Sequence, residues 1–183
     1  MLSKTLATAC LILLPALPQH ALAKGGLLSG AVGSAIRHSG GGDSGVKAEE
    51  GMISAADPEG MVAVMQDLGY RATLDVDSGG DPMISSSTGG VKFDILFYGC
   101  VDNTGCDSIL YLSGFDLTEG MKAEEVNDWN RRAVTAMAYL DDENDPYLQS
   151  YVLTRSGIPE EVFSYTLKEW DQAIGEFRDE IDF

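Results

Sequence analysis

Histidine is nearly absent from this chain: His20 and His38 are the only two in 183 residues. A Ser-His-Asp or Cys-His centre needs an imidazole held rigidly within hydrogen-bond reach. His20 lies in an apolar N-terminal stretch and His38 in a glycine-rich one, so neither is expected to be held that way. Basic residues are also scarce, with 12 Lys and Arg against 29 Asp and Glu and a net charge of −17. That deficit argues against the basic clusters that neutralise nucleic-acid phosphates and against those that hold an anionic membrane surface. Phosphate-cradling glycine motifs are missing, because Gly79-Gly80 and Gly89-Gly90 fall in turns with no helix start after them. Past residue 23, no run approaches the roughly 20 apolar residues of a membrane span.

What is present begins with a leader. Lys4 supplies a short positive region, and Leu6 to Leu17 an apolar run broken only by small or weakly polar residues and Pro15. Ala21-Leu22-Ala23 has the small-x-small pattern of a cleavage site. Residues 1–23 therefore read as a cleavable secretory signal, which directs the mature chain to the periplasm or the medium. Cys10 follows Ala7-Thr8-Ala9 as in a lipoprotein, but it stands at the start of the apolar run rather than after it. Processing leaves 11 basic and 29 acidic residues, a net charge of −18, and removes Cys10 and His20. Such a charge suits solubility, or binding to basic or cationic partners.

Residues 24–50 hold glycine pairs, the run Gly40-Gly41-Gly42 and scattered serines, with no sustained period. They bury too little apolar surface to offset their ordering entropy and read as a flexible tether. Residues 51–183 read as one folded domain. Its two thiols, Cys100 and Cys106, flank Val101-Asp102-Asn103-Thr104-Gly105 between two strand-like runs. That puts them at the mouth of a hairpin loop, within reach of a disulfide. The spacing is not the Cys-x-x-Cys of redox motifs, and zinc wants four ligands.

Asp57-Pro58-Glu59 reads as a capped helix start, with Gly69 as its stop. Met52-Ile53-Ser54 before it is a candidate short strand. Strand-like runs follow at Tyr70–Val76, Pro82–Ser86, Val91–Cys100 and Asp107–Phe115, with turns at Asp77–Asp81 and Thr88–Gly90. In the third run Val91, Phe93, Ile95 and Phe97 alternate with Lys92, Asp94, Leu96 and Tyr98. The second face is half apolar, so partial cover by a helix is expected. A helix is expected over Met121–Ala133, strands over Thr135–Leu140 and Tyr147–Thr154, and a last helix from Pro159. In that last helix Phe163, Leu167, Trp170, Ile174, Phe177 and Ile181 form a seam spaced by four and three, read first as core and second as a dimer interface. The order α-β-β-β-β-α-β-β-α, with strands in hairpins, indicates an α+β fold: an antiparallel β-sheet with flanking helices.

Ser54-Ala55-Ala56-Asp57-Pro58-Glu59-Gly60, Leu68-Gly69-Tyr70, Gly80-Asp81-Pro82 and Phe97-Tyr98-Gly99-Cys100 resemble, in order and spacing, the YbjN family. Asn127-Asp128-Trp129-Asn130 and Tyr139-Leu140-Asp141-Asp142-Glu143 extend that resemblance, which covers residues 52–183. It implies a fold like that of the type III secretion chaperones, often paired as dimers, in a family named for bacterial sensory transduction regulators. It carries over no catalytic residues. The export signal and the cysteine pair depart from the many leaderless members, so a cytoplasmic regulatory role transfers poorly.

Trp129, flanked by Asn127 and Asn130, reads either as a core residue or as an aromatic contact for a protein partner. Asp75, Asp77 and Asp81 offer calcium an oxygen cluster, as do Asp141, Asp142, Glu143 and Asp145. An EF-hand loop starting at Asp75 would need an acid where Ser86 stands, and acidic turns before proline are also what turn chemistry selects. A carboxylate-pair hydrolase is the remaining alternative. The reading favoured is an exported, chaperone-like protein-binding module that is not an enzyme and needs no cofactor, with a homodimer as one form. Mature protein recovered from the envelope or medium is expected to begin at Lys24 on N-terminal sequencing; an intact leader would remove the export reading.

Overall fold

A computed structural model describes residues 51–183. The expected leader with Cys10 and Ala23, and the tether with His38, lie outside the described residues. The chain runs β1 (Met52–Ile53), α1 (Pro58–Asp67), β2 (Thr73–Val76), β3 (Pro82–Thr88), β4 (Val91–Tyr98) and β5 (Ser108–Gly114). It continues through α2 (Ala123–Arg132), β6 (Met137–Leu140), β7 (Pro146–Leu153), β8 (Ile158–Pro159) and α3 (Glu160–Glu180). Six strands form one antiparallel sheet in the order β2-β3-β4-β5-β7-β6, and β1 pairs with β8 apart from it. The class is α+β, as the hairpin pattern indicated. Of the two short strands outside the expected order, β1 falls on the candidate run and β8 was not foreseen.

Local chemistry accounts for the boundaries. Asp57 caps α1, its Oδ1 accepting the Gly60 N–H at 3.0 Å, and Pro58 fills the first turn. Gly69, at φ +93°, ends the helix, and the Tyr70 N–H returns to the Met65 carbonyl. Tyr70 is thereby held in the helix exit, so β2 begins only at Thr73 rather than at Tyr70.

The core lies on one face of the sheet. Val91, Phe93, Ile95 and Phe97 of β4 point to it, flanked by buried Ile84, Tyr111 and Leu148 on β3, β5 and β7. Against them α3 buries Phe163, Leu167, Trp170, Ile174 and Phe177. Trp170 stacks on Tyr111 at 5.5 Å and meets Phe93 edge-on at 6.0 Å. Each such side chain contributes about 1.5–3 kcal/mol on burial. Met61 and Met65 of α1 and Val126 and Trp129 of α2 complete the layer. The opposite face departs from expectation: among the described residues no helix covers it, because the apolar stripes of all three helices are spent on the first face.

Two parts of the domain repeat each other. The stretch α1-β2-β3 and the stretch α2-β6-β7 match at an offset of 64 residues, and each hairpin turns on Asp-x-x-(Gly or Asn)-Asp-Pro. In one, Asp77 Oδ1 accepts the N–H groups of Gly79 and Asp81 at 2.8 and 3.0 Å. In the other, Asp141 Oδ1 accepts those of Glu143 and Asp145, both at 2.9 Å. The fourth residue takes positive φ in both, +91° at Gly80 and +65° at Asn144. The two units occupy opposite ends of the sheet, with β2 and β6 as its edges.

Cys100 and Cys106 form a disulfide across the β4–β5 loop. Inside it, Asp102 and Asn103 have φ of +51° and +61° and carry the chain round between Val101 and Thr104. Asn103 Nδ2 reaches out to Asp81 Oδ1 at 2.8 Å, fastening the loop to the β2–β3 turn. The double variant Cys100→Ser, Cys106→Ser is expected to lose about 2–3 kcal/mol of stability by the loop-entropy relation, read as a lower denaturant midpoint at unchanged slope.

Candidate functional site

Among the described residues the uncovered sheet face is a broad surface that the fold leaves unassigned. Strand register sets its rows. Asp75, Met83, Leu96, Leu110 and Tyr151 align across β2 to β7. Ser85, Asp94, Leu112, Gln149 and Met137 form a second row. Tyr98 and Leu153 flank Ser108 at one end, and Tyr147 and Tyr139 stand at the other. Met137 is 61% exposed, Tyr151 and Leu153 60% each. Tyr139 and Tyr147 stack at 5.3 Å. Gly114 makes this arrangement fit, because a Cβ there would lie 2.8 Å from the Tyr147 ring. Asp75, Ser85, Asp94 and Gln149 are the polar members of these rows, and Asp94 accepts the Ser85 hydroxyl at 2.7 Å. Burial, and next the Tyr147 hydroxyl, raise the Tyr139 pKa above its ordinary value.

The acidic turns do not gather into a ligand set. Asp77 and Asp141 spend a carboxylate oxygen on backbone N–H groups of their own turns. Asp75 Oδ1 accepts the Val76 N–H at 2.8 Å, Asp81 accepts from Asn103, and Asp145 accepts the Leu117 N–H at 2.9 Å. Asp142 and Glu143 are exposed. Among the described residues no group of three or more His, Cys, Asp or Glu side chains converges as a metal site would.

Trp129 is buried, 4% exposed, with its indole N–H donating to the Ala136 carbonyl at 3.2 Å. Phe177 meets it edge-on at 4.9 Å and the Arg132 guanidinium lies 5.9 Å from its ring centre. Its edge lines a cleft of about 300 Å³ with Arg132, Val134, Glu169 and Glu176. Asn130 is half-buried and engages both backbone groups of one residue: Nδ2 donates to the Ala138 carbonyl at 2.9 Å, and the Ala138 N–H donates to Oδ1 at 2.8 Å. Asn127 is exposed on α2. The three residues thus share a helix without sharing a surface. The sheet face itself was not singled out from the sequence, although the half-apolar second face of β4 was its signal.

Residues 57–183 match the model of the YbjN family, described as "Putative bacterial sensory transduction regulator". The chain belongs to the YbjN family. No curated protein and no solved structure matches it. The YbjN match takes in both helix–hairpin units, the disulfide and the whole bare face.

One polar cluster of the YbjN domain lies under α3. The Tyr70 hydroxyl donates to Asp171 Oδ2 at 2.5 Å, while Asp171 Oδ1 is buried without a partner among the described residues. Tyr111 shares a hydrogen bond with Thr166 at 3.0 Å. Burial, then the bond to Asp171 and its charge, push the Tyr70 pKa up. Burial raises that of Tyr111 and outweighs the opposing Thr166 bond. Both phenols fold as neutral groups, so their contribution is complete below the unfolded tyrosine pKa of about 10 and is lost as pH rises toward the higher folded values. An alkaline titration followed at 295 nm should show two of the seven tyrosines ionising only as the fold opens. In Tyr70→Phe one of these should be gone, and stability should fall less steeply above pH about 10.

Proposed function

We propose that this YbjN domain is an exported, non-enzymatic, chaperone-like regulatory module that holds a basic protein partner on its bare sheet face. The observation that carries the reading is the six-stranded sheet with one face spent on the helices and the other left uncovered by the described residues, lined by Leu96, Leu110, Leu112, Tyr151, Leu153 and Met137. Exposed apolar surface of this extent costs free energy in water, and its rim of polar groups fits a protein interface. Tyrosine and methionine supply large contact area and are favoured there.

Charge selects the partner. Residues 51–183 hold eight basic and 26 acidic side chains, which attract a basic protein and repel a second copy. The family's description as regulators, rather than as enzymes, agrees with a binding role. Acidic side chains beside the Trp129 cleft, such as Glu169 and Glu176, are exposed, and Glu180 is paired to Arg132 at 2.9 Å. Water therefore reaches the carboxylates that a hydrolase would shield.

A photo-crosslinking residue at Tyr151 should capture a basic protein in the native envelope, and the same residue at Tyr165 on α3 should not. Tyr151→Glu should then weaken the purified partner's binding at least tenfold, about 1.4 kcal/mol, at unchanged melting temperature. Capture from Tyr165 alone, or undiminished affinity in Tyr151→Glu, would remove the reading.

A further inference from the structure

We propose that the edge strand β2 is a docking edge to which a partner adds an extended segment of alternating apolar and basic residues. This rests on the protein-binding reading above and names where and how a partner segment is held.

The two ends of the sheet are built alike and finished differently. In each hairpin the first turn residue donates its N–H across the turn, Asp77 to the Asp81 carbonyl and Asp141 to that of Asp145. Antiparallel alternation from that bond turns the backbone of Leu74 and Val76 away from β3, and that of Ala138 and Leu140 away from β7. At β6, Asn130 reaches from α2 and occupies both outward groups of Ala138. A side-chain amide there replaces the peptide unit of a further strand and blocks the edge at its middle, while the outward groups of Leu140 stay beside the turn. At the 64-residue offset Gln66 of α1 stands in place of Asn130, and Ala72 in place of Ala136. Gln66 Nε2 donates to the Ala72 carbonyl at 2.9 Å, short of Leu74. Among the described residues nothing bonds the outward N–H and C=O of Leu74.

The surroundings specify the occupant. All four residues of β2 are exposed, Leu74 at 37% and Val76 at 60%. Leu74 sits opposite buried Ile84, so its side chain stands at the margin of the core on the helix-covered side. An added strand lays alternate apolar side chains beside Leu74 and Val76, and extends the core by one row. Its intervening residues fall beside Thr73 and Asp75 on the bare face. There, Asp75 and the turn residues Asp77 and Asp81 call for cations, with Arg71 the single base nearby in sequence. The Val76 N–H, held at 2.8 Å by exposed Asp75 Oδ1, passes to a carbonyl of the incoming strand. The carboxylate is then free to meet a Lys or Arg of that strand. A second copy would instead bring its own Asp75 and acidic turn to the same place, which repels.

The test uses the full disulfide-bonded chain and, as probe, a fluorescent end-blocked peptide Lys-Val-Lys-Val-Lys-Val, followed by anisotropy and by amide hydrogen exchange. Binding should slow exchange at Leu74 and Val76. Methylating alternate peptide nitrogens of the probe, which keeps its side chains but removes strand donors, should weaken binding at least tenfold. Leu74→Pro should do the same, since that N–H lies outside the internal ladder and edge strands tolerate proline there. Asp75→Lys provides an independent loss if the proline variant fails to fold. Absence of binding, equal binding of the methylated probe, full affinity in Asp75→Lys, or protection confined to β5 and β7 would each overturn strand addition. Concentration-dependent dimerisation abolished by Leu74→Pro would also overturn it, in favour of a second copy. The Tyr151→Glu measurement reads the sheet face separately, so loss of one reading leaves the other standing or falling on its own data.

Discussion

Trp170 lies stacked on Tyr111 of β5 and edge-on to Phe93 of β4, and this three-ring contact ties the longest helix to the centre of the sheet. Its neighbours along α3 extend the seam in both directions, from Phe163 to Phe177, and Phe177 in turn meets Trp129 and Phe115. A sheet has two faces, and the described residues supply one layer of helices. Once the apolar stripes of α1, α2 and α3 are committed to the inner face, no helix among the described residues is left to cover the outer one. The bare face is therefore a consequence of how the core was spent, and the same contact places Asp171 against Tyr70 and so fastens the exit of α1.

The duplicated helix–hairpin unit gives the sheet its ends. The shared Asp-x-x-(Gly or Asn)-Asp-Pro turn does the same local work twice, satisfying its own backbone N–H groups with one aspartate oxygen. What differs is reach. The Asn130 amide spans to Ala138 and blocks β6 there, whereas the Gln66 amide stops at Ala72. Two ends with one construction and unequal hydrogen-bond accounting make the sheet asymmetric: among the described residues the outward groups of Leu74 are unbonded, where the matching groups of Ala138 are occupied.

Much of the fold was legible because it rests on local chemistry. Asp57-Pro58 announces α1, the alternation of Val91 to Phe97 announces β4, and the spacing of Phe163 to Phe177 announces α3. The thiol pair was legible for a similar reason, since two strands joined by a short loop leave its ends little freedom in distance. Sequence pattern and structure part where long-range contacts decide. Tyr70 looks like a strand residue until the Met65 carbonyl claims its N–H. The short β8 exists only because β1 is there to pair with it. Adjacent residues 129 and 130 looked like one candidate site, but a helix turns about 100° per residue, so the indole enters the core while the amide reaches the sheet edge.

The sequence by itself determined the helices, the hairpins, the acidic charge and the scarcity of histidine. Each of these depends on residue type or on neighbours a few positions away. Only the tertiary structure decided which sheet face the helices would take, which edge Asn130 would block, and that the aspartates would satisfy their own turns rather than meet one another. Those outcomes depend on pairings between residues far apart in the chain, such as Phe93 with Trp170, and no local pattern encodes the register that brings them together.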